Sequence, residues 1–148
     1  MINELARGYA TRAIELCRKV FLADGSGDEL LVASYMGGCS VVNSEVGICH
    51  ALSYGLSLEL GYRHGIANCI AFNVLDDYYP RHVPEFRKMM EGQNIVLPKG
   101  VTQSMDQDAL GRMVDMTLRM ERPLTNALGE NWRDVLTRER IFDLYSRI

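Results

Sequence analysis

Proline is absent from the first 79 residues of this chain of 148; the four prolines are Pro80, Pro84, Pro98 and Pro123. Because proline breaks a helix, and because this stretch has few clusters of β-branched residues, it favours helices separated by glycine breaks. Strand patterns do not alternate with helix patterns along the sequence, and no segment repeats. The sequence therefore predicts an all-α fold.

Hydrophobic spacing divides the chain into eight predicted helices. The first, over residues 2–22, is amphipathic, with apolar residues at three- and four-residue steps. The second, over residues 28–43, is apolar on nearly all sides, so we expect it to be buried at the centre of its domain. Its glycine pair, Gly37 and Gly38, predicts that another helix or a ligand approaches closely. The other predicted helices cover residues 47–60, 65–79, 84–92, 106–120, 123–129 and 137–147, with a loop over 93–103.

Length and charge restrict the classes of function. A chain of 148 residues has the size of one domain, and we expect residues 1–148 to form a single helical domain. The net charge of −3 and the pI near 5.6 argue against a nucleic-acid partner, which requires a basic surface. No apolar run has the length of a membrane span, and the N-terminus lacks the features of a signal peptide. We therefore expect a cytoplasmic protein with no membrane partner.

The four cysteines are Cys17, Cys39, Cys49 and Cys69, and no two of them form a C-x-x-C pair. Their spacing excludes a zinc ribbon and a thioredoxin-type motif. We interpret them as free buried thiols that pack as small hydrophobic side chains in a reducing compartment.

Two of the three histidines lie where the chain could bring them together. His50 falls near the start of the third predicted helix, and His64 falls at the start of the fourth. On one straight helix they would be about 21 Å apart, so they can share a metal ion only if the chain reverses between them. Gly55 and Gly61 permit such a break.

Spacing alone favours a structural interpretation of these histidines. Two histidines in apolar helices are more often core or interface residues than ligands, and a catalytic metal normally has three protein ligands. The nearby carboxylates of Glu45 and Glu59 could complete a site, which leaves a small helical metal-binding protein as one interpretation.

The residues around the histidines carry a more specific signal. The segments are 49–56, CHALSYGL, and 62–68, YRHGIAN. They resemble the signature of the iron-containing (group III) metal-dependent alcohol dehydrogenases, in which a helix carries H-x-x-x-H and a His-Gly-x-Ala-Asn segment follows. In that family the first histidine of each part binds the catalytic divalent metal. The resemblance, which is specific over residues 33–79, therefore implies that His50 and His64 are ligands of iron or zinc.

The sequence departs from the family pattern in three respects. Tyr54 replaces the second histidine of H-x-x-x-H, which in the family lies by the nicotinamide and takes part in proton transfer. The resemblance thus makes Tyr54 the candidate catalytic residue, although a phenol ionises only near pH 10 and is a poor base. The family's other two ligands, an Asp and a His, would precede Met1, and residues 1–22 contain neither type. The chain also lacks a G-x-G-x-x-G or related phosphate loop.

The resemblance implies an all-helical, metal-binding C-terminal domain of the iron-containing alcohol dehydrogenase and dehydroquinate synthase-like fold. The intact enzyme would use a divalent metal and NAD or NADP to oxidise a primary or secondary alcohol. The finer likeness is to the branch that oxidises the 8-hydroxyl of 3-deoxy-D-manno-octulosonate. We expect the isolated chain to be inactive. The alternative is a non-catalytic helical module that binds a partner.

We also expect a homodimer. An enzyme domain without its neighbour would expose an apolar face, and monomers seldom expose patches above a few hundred Å². Methionine side chains would add adaptable apolar surface to that face. The methionines that this expectation invokes are Met89, Met90, Met105, Met113, Met116 and Met120.

Overall fold

The computed structural model describes residues 3–148, which form nine α-helices and no β-strand. The predicted all-α class is therefore confirmed. The predicted start of the first helix, at residue 2, lies outside the described residues. The helices are α1 Glu4–Leu22, α2 Gly27–Asn43, α3 Ile48–Leu60, α4 His64–Phe72, α5 His82–Gly92, α6 Gln107–Leu118, α7 Glu121–Leu128, α8 Trp132–Val135 and α9 Arg138–Ser146.

The fourth predicted helix, over residues 65–79, differs most from the structure. α4 ends at Phe72, and residues 73–79 form successive turns, in one of which the Tyr79 N–H bonds to the carbonyl of Leu75 at 2.9 Å. Because Leu75 is fully buried, the apolar pattern continues past the end of the helix, and hydropathy alone does not reveal that end. The four-residue α8 also escapes prediction, since one helical turn is too short to show a period.

The described chain divides into two compact units. The first, which we call the hairpin unit, reaches Glu45 and includes Glu85–Val96. The second, the core unit, comprises Val46–Pro84 and Leu97–Ile148. That all 148 residues form a single domain stays a prediction. Within residues 3–148, no helix has both the length and the apolar character that crossing a bilayer requires.

The hairpin unit is built on two antiparallel helices. Near the start of α1, the Asn3 side-chain amide donates to the Asn43 carbonyl at the end of α2 (2.7 Å). Along the same pair, the Ser40 hydroxyl donates to the Ala6 carbonyl (3.0 Å). α2 begins at a capping box, in which the Ser26 hydroxyl accepts from the Glu29 N–H and the Glu29 carboxylate accepts from the Ser26 N–H. Hydrogen bonds and caps therefore fix this hairpin at both ends.

The expectation that the second helix is buried is wrong. Only Ala33 of α2 is buried, whereas Leu31 is 73%, Tyr35 69% and Val42 85% exposed. No helix of residues 3–148 makes the predicted close approach to the glycine pair, because a Cβ on Gly37 or Gly38 would have no neighbour within 4 Å. The alternative, that a ligand approaches there, stays a prediction. The helix has the apolar composition of a central helix, but Ala33 is its only buried residue.

The core unit is built around α3. Its side chains Ala51, Leu52 and Leu56 are fully buried, and α4, α6 and α7 pack against it. The tryptophan of the chain, Trp132, is also buried in this core. Further apolar residues of the same cluster come from α9 and the C-terminus: Ile141, Leu144, Tyr145 and Ile148.

One position of α3 is restricted to glycine by packing. The Tyr145 hydroxyl donates to the Leu52 carbonyl (2.8 Å) and lies 2.8 Å from the hydroxyl oxygen of Thr117. A Cβ on Gly55 would stand 2.5 Å from the Tyr145 hydroxyl oxygen and 3.1 Å from the Met113 Cβ. Gly55 therefore lets α9 reach the backbone of α3, which the sequence interpreted only as a permissive helix break.

Candidate functional site

The chain reverses between His50 and His64, as their joint ligation requires. His50 lies in the first turn of α3, and His64 is the first residue of α4. The turn between them begins at Gly61, whose φ of +71° lies in the left-handed region that glycine adopts without strain. Its N–H bonds back to the Ser57 carbonyl at 3.1 Å, which closes the end of α3. A glycine C-cap thus produces the reversal within three residues.

The reversal brings the three predicted site residues together. The ring centroids of His50 and His64 are 5.1 Å apart, with the ring planes at 59°. The Tyr54 ring lies 5.7 Å from the His64 ring. Tyr54 follows His50 by one helical turn, so both side chains extend from the same face of α3. His50 is half-buried, whereas Tyr54 and His64 are exposed.

The separation of the two imidazoles suits a shared metal ion. A ring centroid lies roughly 1.1–1.2 Å behind its nitrogen, so bonds of about 2.0–2.1 Å at a tetrahedral angle place two centroids about 5.2 Å apart. The observed separation between His50 and His64 is 5.1 Å. The pair therefore fits one ion in distance, and the role of the two residues as ligands stays a prediction.

A third protein ligand does not join this pair. Among residues 3–148, no group of three His, Cys, Asp or Glu side chains is placed to hold a metal ion. The idea that Glu45 or Glu59 completes the site therefore finds no support in the described chain. Glu59 instead accepts two hydrogen bonds from Arg112, at 3.0 and 2.8 Å, which hold the pKa of that carboxyl below its usual range.

Asn68 belongs to the site but is not one of the site residues predicted from the sequence. Its side-chain nitrogen lies 3.0 Å from His64 Nε2 and donates to the His64 carbonyl, also at 3.0 Å. On the other side, the single hydrogen of the Cys49 thiol has two acceptors on Asn68 within reach, the backbone carbonyl (3.2 Å) and the side-chain oxygen (3.4 Å). The signal in the sequence is the four-residue spacing from His64 on one helix, which places both residues on the same face.

Burial changes the acidity of the thiol beside this site. Desolvation raises the pKa of Cys49 to about 12, and the neighbouring Cys69 contributes in the same direction. Burial also raises the pKa of the Cys69 thiol and of the Tyr79 hydroxyl. These groups stay protonated at neutral pH, so Cys49 acts as a hydrogen-bond donor and not as a thiolate ligand.

No known protein-family model matches this chain. The resemblance to metal-dependent alcohol dehydrogenases therefore rests on the residues of segments 49–56 and 62–68. What the structure adds is the distance between the rings that these segments carry.

Proposed function

We propose that this chain is the helical, metal-binding part of a metal-dependent, NAD(P)-linked alcohol dehydrogenase. The observation that carries the proposal is the convergence of His50, His64 and Tyr54. The family resemblance selects these three positions from the sequence alone, and on an unbroken helix His64 would lie about 21 Å from His50.

His50 and His64 would supply two neutral imidazole ligands to a divalent ion, iron or zinc. Such an ion, when bound, supplies Lewis acidity toward the oxygen of an alcohol. Because residues 3–148 would contribute only these two ligands, coordination positions would stay open for groups from elsewhere. We therefore expect the chain alone to bind metal weakly.

Tyr54 would orient the substrate or carry its proton. Its ring lies beside His64, and the residue is 37% exposed, so a molecule in solution can reach it. A phenol both donates and accepts hydrogen bonds, which suits it to relay the proton of an alcohol. The substrate we propose is a primary or secondary alcohol, with the 8-hydroxyl of 3-deoxy-D-manno-octulosonate as the finer suggestion of the sequence.

The sequence offers no motif that binds the phosphates of NAD or NADP. The 148 residues contain no glycine-rich phosphate loop, so in this proposal NAD or NADP would be held by another domain or chain. We expect no formation of NAD(P)H from an alcohol by the pure protein. The four free thiols are typical of a reducing compartment, which supports a cytoplasmic location in this proposal.

Titration with Co²⁺ tests the metal site. We expect one saturable site, seen in the visible absorption of bound Co²⁺, that weakens at least about tenfold in His50→Ala and in His64→Ala. His82→Ala is the matched control, because His82 lies outside the ring cluster and should leave the affinity unchanged. No binding at millimolar Co²⁺, or binding that survives both substitutions, would contradict the proposal.

The second candidate function is a partner-binding module, which the exposed face of α2 favours. Leu31, Tyr35, Gly38 and Val42 follow one another at four-, three- and four-residue steps, so they form one stripe with the spacing of a helix-pairing seam. Leu31, Tyr35 and Val42 are each more than two-thirds exposed, and Gly38 leaves open space within the stripe. We call this the α2 stripe.

We propose a second copy of this chain as the partner of the α2 stripe. Residues 30–44 carry no charge, so the stripe offers no charge pattern that would select a different, complementary surface. An uncharged stripe can pair with itself about a twofold axis, whereas a charged residue near the axis would be repelled by the same residue of the second copy. No methionine of residues 3–148 is among the exposed large apolar residues, so the dimer surface we propose differs from the methionine surface expected from the sequence.

Sedimentation of the purified chain at micromolar concentration tests this second proposal. We expect a dimer that dissociates in Leu31→Glu and persists in Leu58→Glu, because Leu58 is equally exposed (69%, against 73% for Leu31) but lies on α3. A monomeric native chain, or a dimer that survives Leu31→Glu, would exclude this surface.

A further inference from the structure

The side chain of Asn68 contacts His64 at one end and Cys49 at the other. Its side-chain nitrogen contacts His64 twice, at the ring atom Nε2 and at the backbone carbonyl, both at 3.0 Å. Its side-chain oxygen faces the Cys49 thiol at 3.4 Å. Three contacts from α3 and α4 thus restrain one amide.

These contacts determine which end of the amide faces His64. A backbone carbonyl only accepts hydrogen bonds, so the group 3.0 Å from the His64 carbonyl must be the NH₂ of Asn68. The opposite end, where the oxygen lies, faces the Cys49 thiol. If the amide were rotated by half a turn, its oxygen would face the His64 carbonyl, and two acceptors would lie 3.0 Å apart.

The orientation of the amide in turn selects the tautomer of His64. Because the Asn68 nitrogen has only hydrogens to offer, the His64 Nε2 that faces it must present a lone pair. The proton of the neutral ring is then on Nδ1. An Nε2–H tautomer would place two donors 3.0 Å apart.

We propose that Asn68 is a positioning residue that holds His64 in the Nδ1–H tautomer and occupies its Nε2 lone pair until a metal ion displaces the amide. The tautomer is the one that metal coordination through Nε2 requires, and second-shell groups commonly fix a ligand ring in this manner. The claim about the tautomer concerns the metal-free chain and needs no metal ion. The claim that a metal ion displaces the amide rests on the proposed function.

Nitrogen-15 NMR of the metal-free chain reads the tautomer directly. Long-range ¹H–¹⁵N correlations at about pH 8, where an unperturbed imidazole is neutral, should show His64 with its proton on Nδ1. Asn68→Ala should give a mixture of the two tautomers. Asn68→Asp should reverse the preference, because a carboxylate only accepts and therefore favours a proton on Nε2. His82 serves as an internal reference whose signals stay unchanged in every variant.

If Asn68 had only a structural role, substituting it would leave the tautomer of His64 unchanged. The proposal is overturned if His64 in the native chain carries its proton on Nε2, or if its tautomer is the same in native, Asn68→Ala and Asn68→Asp chains. Circular dichroism of each variant shows whether it is folded. If Asn68→Ala does not fold, the Asn68→Asp chain, which keeps the size of the side chain, decides the question.

Co²⁺ titration then separates this proposal from the proposed function. Removing the amide frees Nε2, so we expect Asn68→Ala to bind Co²⁺ about two- to fivefold more tightly than the native chain, the equivalent of one weak hydrogen bond. Equal or weaker binding would overturn the displacement. If neither chain binds Co²⁺, the displacement and the metal site fail together, while the tautomer result is unaffected.

Discussion

The two most apolar segments of the chain, α2 and α3, are exposed to very different degrees. In α3 the side chains of Ala51, Leu52 and Leu56 are fully buried, whereas in α2 Leu31 and Val42 are largely exposed. The difference lies in the neighbours: α4, α6 and α7 pack on α3, while within the hairpin unit α2 packs on α1. The hydropathy of a helix therefore indicates how much apolar surface it could bury. The number of helices that pack against it decides how much of that surface is buried.

The sharpest test of this comparison is the same truncation in both helices. We expect Leu52→Ala to lower the free energy of unfolding by about 3–5 kcal/mol, because it leaves a cavity in a fully packed core. Leu31→Ala should change it by less than about 0.5 kcal/mol, since this side chain is 73% exposed. Urea unfolding followed by circular dichroism, at a protein concentration too low for dimers, measures both. Comparable losses under these conditions would contradict the exposure of Leu31 in the monomer.

A smaller effect is expected from adding one methyl group to a glycine in each helix. Gly55→Ala should destabilise the chain by about 1–3 kcal/mol, because its Cβ would overlap the Tyr145 hydroxyl. Gly38→Ala should stabilise it by about 0.5–1 kcal/mol, because a Cβ there meets no neighbour and alanine favours the helix. Thermal unfolding at a protein concentration too low for dimers should show opposite signs. A loss of stability in Gly38→Ala under these conditions would contradict the open space beside Gly38.

The smallest of the three contrasts between the two units is a dependence of stability on alkaline pH in the core unit. Burial raises the pKa of Cys49 from its ordinary value of 9.0 to about 12, so the folded thiol keeps its proton while the unfolded thiol loses it. Stability from this group is complete below pH 9 and is lost as pH rises toward 12, by about 1.4 kcal/mol at pH 10.

Urea unfolding of Cys49→Ala at pH 8 and pH 10 measures this contribution. The variant should lose about 1.4 kcal/mol less between the two pH values than the native chain. Cys17→Ala, a substitution in the hairpin unit, is the control and should retain the loss due to Cys49. An unchanged pH dependence in Cys49→Ala would mean that water reaches this thiol in the folded chain.

Local features of the sequence were sufficient for much of the candidate site. Gly61 ends α3 in the left-handed conformation, and this single glycine explains why His50 and His64 meet. The contact between Asn68 and His64 could also be predicted from the sequence, since the two residues lie one turn apart on a helix. The contact between Asn68 and Cys49 could not be predicted in this way, because it joins α4 to α3 across a packed interface.

The sequence by itself determined where helices start and stop to within a few residues, apart from the end of α4 and the short α8. It could do so because caps, glycine breaks and helical periodicity act within one or two turns. The tertiary structure alone decided that α3 is buried while α2 is exposed, and that Glu59 pairs with Arg112 instead of approaching the histidines. Those outcomes depend on surfaces that meet across tens of residues, and the pattern within a single helix does not encode which surface it will meet.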